Sequence, residues 1–189
     1  MKRVLIIGGS DAGISAALRA KELDPSASVA IVVADRFPNF SICGLPFYIS
    51  GEVQDWRTLA HRTISEIDKD KGIQVLLEHR AESIDPASKT VDVSAKDGKH
   101  LDLSYDKLLV GTGAVSEQPP IIGTDLPGVF FLRWMQDGFA LQDYLSKRKV
   151  ENAVVIGGGY IGMETADALT RRGIRQDILK AKGNGKGWT

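Results

Sequence analysis

The sequence predicts an α/β fold: a parallel sheet covered on both faces, with an antiparallel β-meander inserted and a second unit of the same kind left incomplete. Three observations predict it. Two short apolar strands, Val4-Leu5-Ile6-Ile7 and Ala153-Val154-Val155-Ile156, each run into a glycine-rich turn and then a helix. Strand-like and helix-like stretches alternate between them, the pattern of βαβ units with right-handed crossovers. Near the middle, two short segments of period two flank the turn Lys96-Asp97-Gly98-Lys99, as in an antiparallel hairpin.

Taken in order, Ile14, Ala17, Leu18 and Leu23 give the first helix an apolar stripe that ends at Asp24-Pro25. Val29-Ala30-Ile31-Val32-Val33 is the second strand, closing on Ala34-Asp35. A polar helix is expected over Thr58 to Lys71, and Ile73-Gln74-Val75-Leu76-Leu77 is a buried strand. Thr90-Val91-Asp92-Val93 and His100-Leu101-Asp102-Leu103 form the meander. Leu108-Leu109-Val110 leads into Gly111-Thr112-Gly113-Ala114, and a Pro/Gly-rich stretch runs to about Gly128. A helix from Trp134 to Ser146 precedes the second unit, whose own helix spans Ile161 to Arg172 and stops at Gly173. This divides the chain into residues 1–149, a first nucleotide domain, and 150–189, the start of a second.

Composition narrows the function classes. Lys plus Arg number 24 and Asp plus Glu 24, so there is no net charge to draw the chain to nucleic acid or an anionic membrane. Trp56, Trp134 and Trp188 are not interleaved with basic residues, again against a nucleic-acid surface. His61, His79 and His100 lack metal-ligand spacing, so no metal is expected. No Gly-x-Ser-x-Gly elbow supports an acyl-transfer hydrolase. One cysteine makes no internal disulfide and fits a reducing compartment. The apolar run after Met1-Lys2-Arg3 stops at Gly8, too short for a signal peptide or a membrane span, which makes the cytoplasm the expected location.

The glycine turns carry the chemistry. A strand, a tight turn and a helix N-terminus form an anion site, because the backbone can approach a pyrophosphate and free N–H groups hold it. Gly157, Gly159 and Gly162 meet all three glycine spacings of a dinucleotide-binding turn. The first turn, Gly8-Gly9-Ser10-Asp11-Ala12-Gly13, departs with Ser10 at the middle glycine position. Asp35, about 20 residues beyond it, is placed to accept hydrogen bonds from a ribose, although it also reads as a loop cap. Two such units point to two nucleotides, and so to electron transfer between redox cofactors.

Four motifs in this order resemble the FAD-dependent pyridine nucleotide-disulfide oxidoreductases. They are Ile6-Ile7-Gly8-Gly9 with Ala12-Gly13, Cys43-Gly44-Leu45-Pro46-Phe47-Tyr48-Ile49-Ser50-Gly51, Val110-Gly111-Thr112-Gly113-Ala114, and Gly157-Gly158-Gly159-Tyr160-Ile161-Gly162-Met163-Glu164. The likeness is to the single-cysteine branch of coenzyme A-disulfide reductases, persulfide reductases, and NADH oxidases and peroxidases. It implies an FAD/NAD(P)-binding Rossmann-like three-layer fold. It implies that Gly8, Gly9, Ser10, Ala12, Gly13, Asp35 and Arg36 hold FAD, with Ala81 beside the adenine and Gly111, Thr112 and Gly113 closing over the cofactor. Gly157, Gly159, Tyr160, Ile161, Gly162 and Glu164 would line the site for NADH or NADPH. The family is homodimeric, and a partner subunit's C-terminal domain completes its active site.

Cys43 is the proposed redox centre. Alone, a single cysteine is usually a small buried hydrophobe. At the start of a short helix, with Pro46 tolerated in the first turn, its setting favours an anionic, nucleophilic sulfur. With no second cysteine, the resolving partner is a substrate thiol, or Cys43 cycles through sulfenic acid. The resemblance implies a small thiol or disulfide substrate, with coenzyme A as one candidate. Ser15 and Arg19 on the first helix and Asn39 in the cysteine loop match its substrate positions, whereas Glu22 and Ile42 depart from them. Arg19 also reads as a solvated helix residue. Peroxide and oxygen stay open as acceptors.

The end of the sequence departs most from the resemblance. After Ile178-Leu179 it continues only as Lys180-Ala181-Lys182-Gly183-Asn184-Gly185-Lys186-Gly187-Trp188-Thr189. Lys180 falls where the family often carries an acid for the NADH ribose, a change that favours a 2′-phosphate. Two readings therefore stand: the catalytic half of an oxidoreductase, or a truncated, inactive nucleotide-binding fragment.

Overall fold

A computed structural model describes residues 1–180; residues 181–189, including Trp188 and most of the glycine- and lysine-rich tail, lie outside the described residues. The chain divides into two units, Met1–Phe40 with Ala60–Ala114, and Ser41–Leu59 with the residues from Val115 on.

In the first unit, β1 (Arg3–Ile7), α1 (Asp11–Leu23), β2 (Ser28–Val33) and β3 (Ile73–Leu77) precede β4 (His79–Asp85), β5 (Thr90–Ala95), β6 (His100–Ser104) and β7 (Lys107–Val110). Four of the strands form a sheet in the order β3-β2-β1-β7, every neighbour parallel. Successive side chains on a strand point to opposite faces, and both faces of this sheet are covered. Ile6, Val29 and Ile31 pack with Ile14 and Ala17 of α1 and with Ile67 and Ile73. Leu5, Ile7 and Val32 pack on the other side with Val91 and Val93 from the meander β4-β5-β6 and with Tyr105, just after β6. Burying each such aliphatic side chain contributes roughly 1.5–3 kcal/mol. The helix α1 ends where expected: Asp24 N donates to Ala20 O, and the Asp24 carboxylate turns to accept from Ser26 N and Oγ.

Two details differ from the sequence expectation. The meander has three strands, because His79–Asp85 pairs antiparallel with β5 and adds β4. The expected polar helix over 58–71 is instead a 3-10 turn at Trp56–Leu59 and a single π-type turn at Glu66–Asp70. The backbone between them has other partners. His61 N donates to Asn39 O, Asn39 Nδ2 donates to Arg62 O, and Phe40 bridges Ala60. Thr63 and Glu66 then exchange side-chain and backbone hydrogen bonds that start the later turn afresh.

The second unit holds a 3-10 turn, Ile42–Gly44, that runs directly into α2 (Leu45–Ser50), then α3 (Met135–Lys147), β8 (Asn152–Ile156), α4 (Tyr160–Arg171) and β9 (Arg175–Leu179). The two later helices lie one residue from their expected positions. Asp137 fixes the start of α3 by accepting from Arg133 N and Trp134 N at 2.8 and 2.7 Å. The strands β8 and β9 pair in parallel. One face of the pair packs Val155 with Ala166, Leu169 and Ile174. On β8, Val154 and Ile156, which alternate with Val155, stay 59% and 49% exposed.

Candidate nucleotide and cysteine sites

The first glycine turn is built by backbone contacts that leave no room for side chains. Gly8 has φ +118° and donates to Val32 O at 2.9 Å, while Gly111 N donates to Ile7 O at 2.7 Å. A β-carbon on Gly8 would meet Gly111 O at 2.1 Å, and one on Gly13 would meet Gly8 O at 1.9 Å. The turn after β1 is thus pressed between α1 and the Gly111-Thr112-Gly113 turn after β7. Gly9 is buried, with a β-carbon excluded by Val33 Cγ2 at 2.6 Å. Its carbonyl accepts from Asn39 N at 2.7 Å. Ser10 is the N-cap of α1, in extended backbone at φ −97° and ψ −169°, and its side chain makes no capping hydrogen bond. The first N–H groups of α1, those of Asp11, Ala12 and Gly13, have no intrahelical acceptor and are available to an anion.

The same unit gathers the other first-site residues. Asp35 follows β2, and its Oδ1 accepts from Arg36 N at 2.6 Å and Phe37 N at 3.3 Å. Arg36 is exposed, with its guanidinium carbon 4.7 Å from the centre of the Phe37 ring. Ala81 is half-buried on β4, opposite Val93, beside the register shift between Ala81 and Ser83. Glu78 was not anticipated. It takes φ +54°, donates its N–H to Asp35 O at 3.3 Å, and pairs through its carboxylate with Lys96. Its left-handed backbone, unusual for a glutamate, holds the Asp35 loop against the meander. No sequence signal marked it.

Of the substrate candidates, Ser15 and Arg19 are exposed on α1, and Arg19 pairs with Glu22 at 3.0 Å. Asn39 is 3% exposed, in left-handed backbone at φ +60°, with its amide spent on Arg62 O at 3.1 Å.

The second turn repeats the first. Gly157 has φ +122° and donates to Leu179 O at 2.7 Å, and a β-carbon on Gly162 would meet Gly157 O at 1.8 Å. Gly159 caps α4 at φ −82° and ψ −177°, nearly the backbone of Ser10, and a β-carbon there meets nothing within 4 Å. A serine at this position is therefore compatible with the turn, so Ser10 leaves the first turn's backbone path intact. Tyr160 and Ile161 are 89% and 57% exposed at the head of α4, and Glu164 is exposed on its next turn.

Cys43 lies exposed in the 3-10 turn, one residue before Gly44, whose missing β-carbon makes room for Leu59 Cδ2 at 2.5 Å. The helix α2, which this turn feeds, packs on α4. Between them is a cleft of about 250 Å³ lined by Pro46, Phe47 and Ser50 from α2 and by Met163, Glu164 and Asp167 from α4. Arg172 locks the pair by donating to Ile49 O at 2.7 Å and to Gln142 Oε1, and Arg171 pairs with Glu52. The cysteine turn and the nucleotide-type helix α4 are thus parts of one packed unit.

Among the described residues, no helix is long and apolar enough to cross a membrane.

Comparison with known proteins agrees with this construction. The family model described as pyridine nucleotide-disulphide oxidoreductase matches residues 2–184. A CoA-dependent NAD(P)H sulfur oxidoreductase of Pyrococcus abyssi is 37% identical over 94% of this chain and 39% of its own length. An NADH oxidase of Methanocaldococcus jannaschii is 29% identical over 94% of the chain and 39% of its own. The solved structure of an NAD-dependent persulfide reductase from A. fulgidus superposes with a TM-score of 0.91 at 34% identity, over 96% of this chain and 34% of that one. The chain therefore spans about two fifths of the length of the curated relatives it matches.

Proposed function

The chain belongs to the pyridine nucleotide-disulphide oxidoreductase family, and we propose that it supplies the FAD-binding and redox-cysteine portion of an NAD(P)H-linked oxidoreductase. In this reading residues 1–149 hold FAD and residues 150–189 begin the NAD(P)H domain. The observation that carries it is the repetition: two strand–turn–helix units of matching backbone geometry, with the second joined through α4 to the helix that follows Cys43.

The first turn fits FAD, because Gly8 and Gly13 let its backbone pack directly against Gly111 and the head of α1, and the free N–H groups of Ala12 and Gly13 there would hold a pyrophosphate. Asp35 then accepts from the ribose, and Ala81 presents backbone to the adenine. When bound, FAD supplies the two-electron relay between the nicotinamide and sulfur. At the head of α4, Gly157, Gly159 and Gly162 hold the second dinucleotide, with Tyr160, Ile161 and Glu164 beside it.

Cys43 performs the sulfur chemistry. Its thiolate attacks a disulfide R–S–S–R′, forming the Cys43–S–S–R bond and releasing R′S⁻. Two electrons from NAD(P)H then cleave that bond, releasing RS⁻ and restoring the thiolate. With a peroxide as acceptor, the Cys43 thiolate instead attacks the O–O bond, taking one oxygen as sulfenic acid and releasing water or an alcohol. Two electrons from NAD(P)H with two protons return it to the thiol and release water. Oxygen enters this cycle only after two electrons from NAD(P)H reduce it to peroxide. Cys43 is the one cysteine of residues 1–189, so no disulfide within them takes part in either cycle. We place the intact enzyme in the cytoplasm as a homodimer acting on a small disulfide or persulfide, with a coenzyme A derivative first among them. The test is Cys43→Ser in the intact dimer, loaded with FAD, assayed with NAD(P)H against coenzyme A disulfide and against oxygen. Loss of turnover with the acceptor that the parent reduces is expected; full turnover would overturn the assignment.

For residues 1–189 on their own, the exposed face of β8 favours the inactive reading. The isolated chain is expected to lose FAD on dialysis and to show no NAD(P)H-dependent disulfide reduction. Stoichiometric flavin with steady turnover would contradict this.

A further inference from the structure

We infer that Glu78 is a positioning residue of the first nucleotide site: its left-handed backbone holds Asp35 where the carboxylate meets the adenosine ribose, so Glu78 sets how well the site tells ribose from deoxyribose. The inference rests on the reading of the first turn as the FAD site and deepens it. The strands β2 and β3 pair in parallel as far as Val33 and Leu77, and there the two chains part. Asp35 enters the loop that carries Arg36 and Phe37, while residue 78 turns the chain into β4 of the meander. Beyond the last pair, Glu78 N donates to Asp35 O at 3.3 Å. The Asp35 carboxylate is oriented from within its own loop, by Arg36 N and Phe37 N. Its backbone is anchored from across the gap, by Glu78.

That anchor depends on the φ of +54° at Glu78. Left-handed backbone costs a residue other than glycine about tenfold in population, so its neighbours must hold it there. They do. Glu78 O accepts from Lys96 N at 3.0 Å, and the Glu78 carboxylate pairs with the Lys96 ammonium. His79 Nδ1 lies 2.6 Å from Leu77 O; a carbonyl only accepts, so this nitrogen carries the proton and the imidazole closes the corner from its other side. The ion pair is solvated and adds little, which leaves the backbone bonds to carry the corner. Strained backbone held in this way gathers at ligand clamps. Here the clamp acts on the Asp35 carbonyl, and through it on the direction of the carboxylate that accepts from the ribose. Lys89, at φ +55°, stands at the opposite end of the β4–β5 pair. Its carbonyl accepts from Tyr105 N at 2.9 Å, so it carries the same strain away from the ribose acid.

The experiment is calorimetric titration of the folded, FAD-free chain with ADP and with 2′-deoxy-ADP. The parent is expected to bind ADP about tenfold or more tightly, the worth of one charge-assisted hydrogen bond. Glu78→Val, whose branched side chain disfavours left-handed backbone, brings the ratio near one by weakening ADP alone. Glu78→Gly keeps both the amide and the turn, and so keeps the parent ratio. Lys89→Val lowers the melting temperature but also keeps the ratio. If Glu78→Val does not fold, Glu78→Ala takes its place: it lacks the Lys96 pair, and the ratio falls about twofold. A ratio that survives Glu78→Val (or Glu78→Ala in its place), collapses in Glu78→Gly, or falls equally in Lys89→Val overturns this inference and leaves the FAD site standing. A parent that binds the two nucleotides equally overturns the ribose role of Asp35 and with it that of Glu78. A parent that binds neither overturns the site itself.

Discussion

Replacing Gly13 by alanine sets two physical effects against each other inside α1. Helix propensity alone favours the change by about 0.8–1 kcal/mol. The packing opposes it, since the new β-carbon meets Gly8 O at 1.9 Å, Gly8 C at 3.0 Å and Ile6 Cγ2 at 3.2 Å. Gly8 cannot retreat, because its N–H is held by Val32 O at 2.9 Å and the Gly111 carbonyl already fills the space behind it. The helix must move outward by about 1 Å or more, pulling Ile14 and Ala17 from the core they share with Ile6 and Ile31. Overpacking costs about 1–3 kcal/mol, and a clash of backbone with backbone belongs at the upper end. Packing wins, with a net loss of about 1–2 kcal/mol. For a unit of roughly 100 residues that lowers the melting temperature by about 5–15 °C. The comparison is Ser10→Gly, which removes a side chain with no capping bond and costs only a few tenths of a kcal/mol. Thermal unfolding followed by circular dichroism, with FAD titration at low temperature, reads both variants. An alanine variant that melts at or above the parent would refute the reasoning.

Leu5 and Val154 hold the same place in the two repeats but are 3% and 59% exposed, so lysine is expected to unfold the first unit at position 5 and be tolerated at 154, where it also reduces aggregation; denaturant melts and light scattering check this. Arg172→Met leaves Ile49 O and Gln142 without their donor, a loss of about 1–3 kcal/mol that faster proteolysis near Ile49 would report. The Asp92 carboxylate, by hydrogen bond and charge, raises the pKa of His100 above its usual value. A raised folded pKa means that the pair's stabilisation is full below the unfolded histidine value and is lost as pH climbs through the folded one. Both partners are solvated, so the effect is small; melting temperature measured from pH 5 to 9 should fall slightly less across that window in His100→Gln, and an unchanged slope would remove His100 from the account.

The glycine turns were legible because their chemistry is local: a positive φ at Gly8 and Gly157, and a close approach at Gly13 and Gly162, exclude other residues whatever surrounds them. Strands β1 to β3 were legible because burial on both faces makes them continuous apolar runs. The strand β4 was not, since His79-Arg80-Ala81-Glu82-Ser83 is mostly exposed and carries no clear alternation. The stretch 58–71 has helix-compatible polarity, but Asn39, 23 residues before Arg62 in sequence, claims the backbone of His61 and Arg62. No local reading reaches such a partner. The departure at Ser10 leaves the turn's backbone path intact, since a β-carbon at the matching Gly159 meets nothing within 4 Å.

The most direct test of the central claim, that these turns are nucleotide sites serving one cysteine, is a titration of FAD into the folded 189-residue chain with flavin fluorescence as the readout. Saturable quenching, displaced by ADP and abolished by Gly13→Ala but not by Cys43→Ser, is the expected result. A folded chain that leaves flavin fluorescence unchanged, or whose quenching ADP does not displace, would contradict the account.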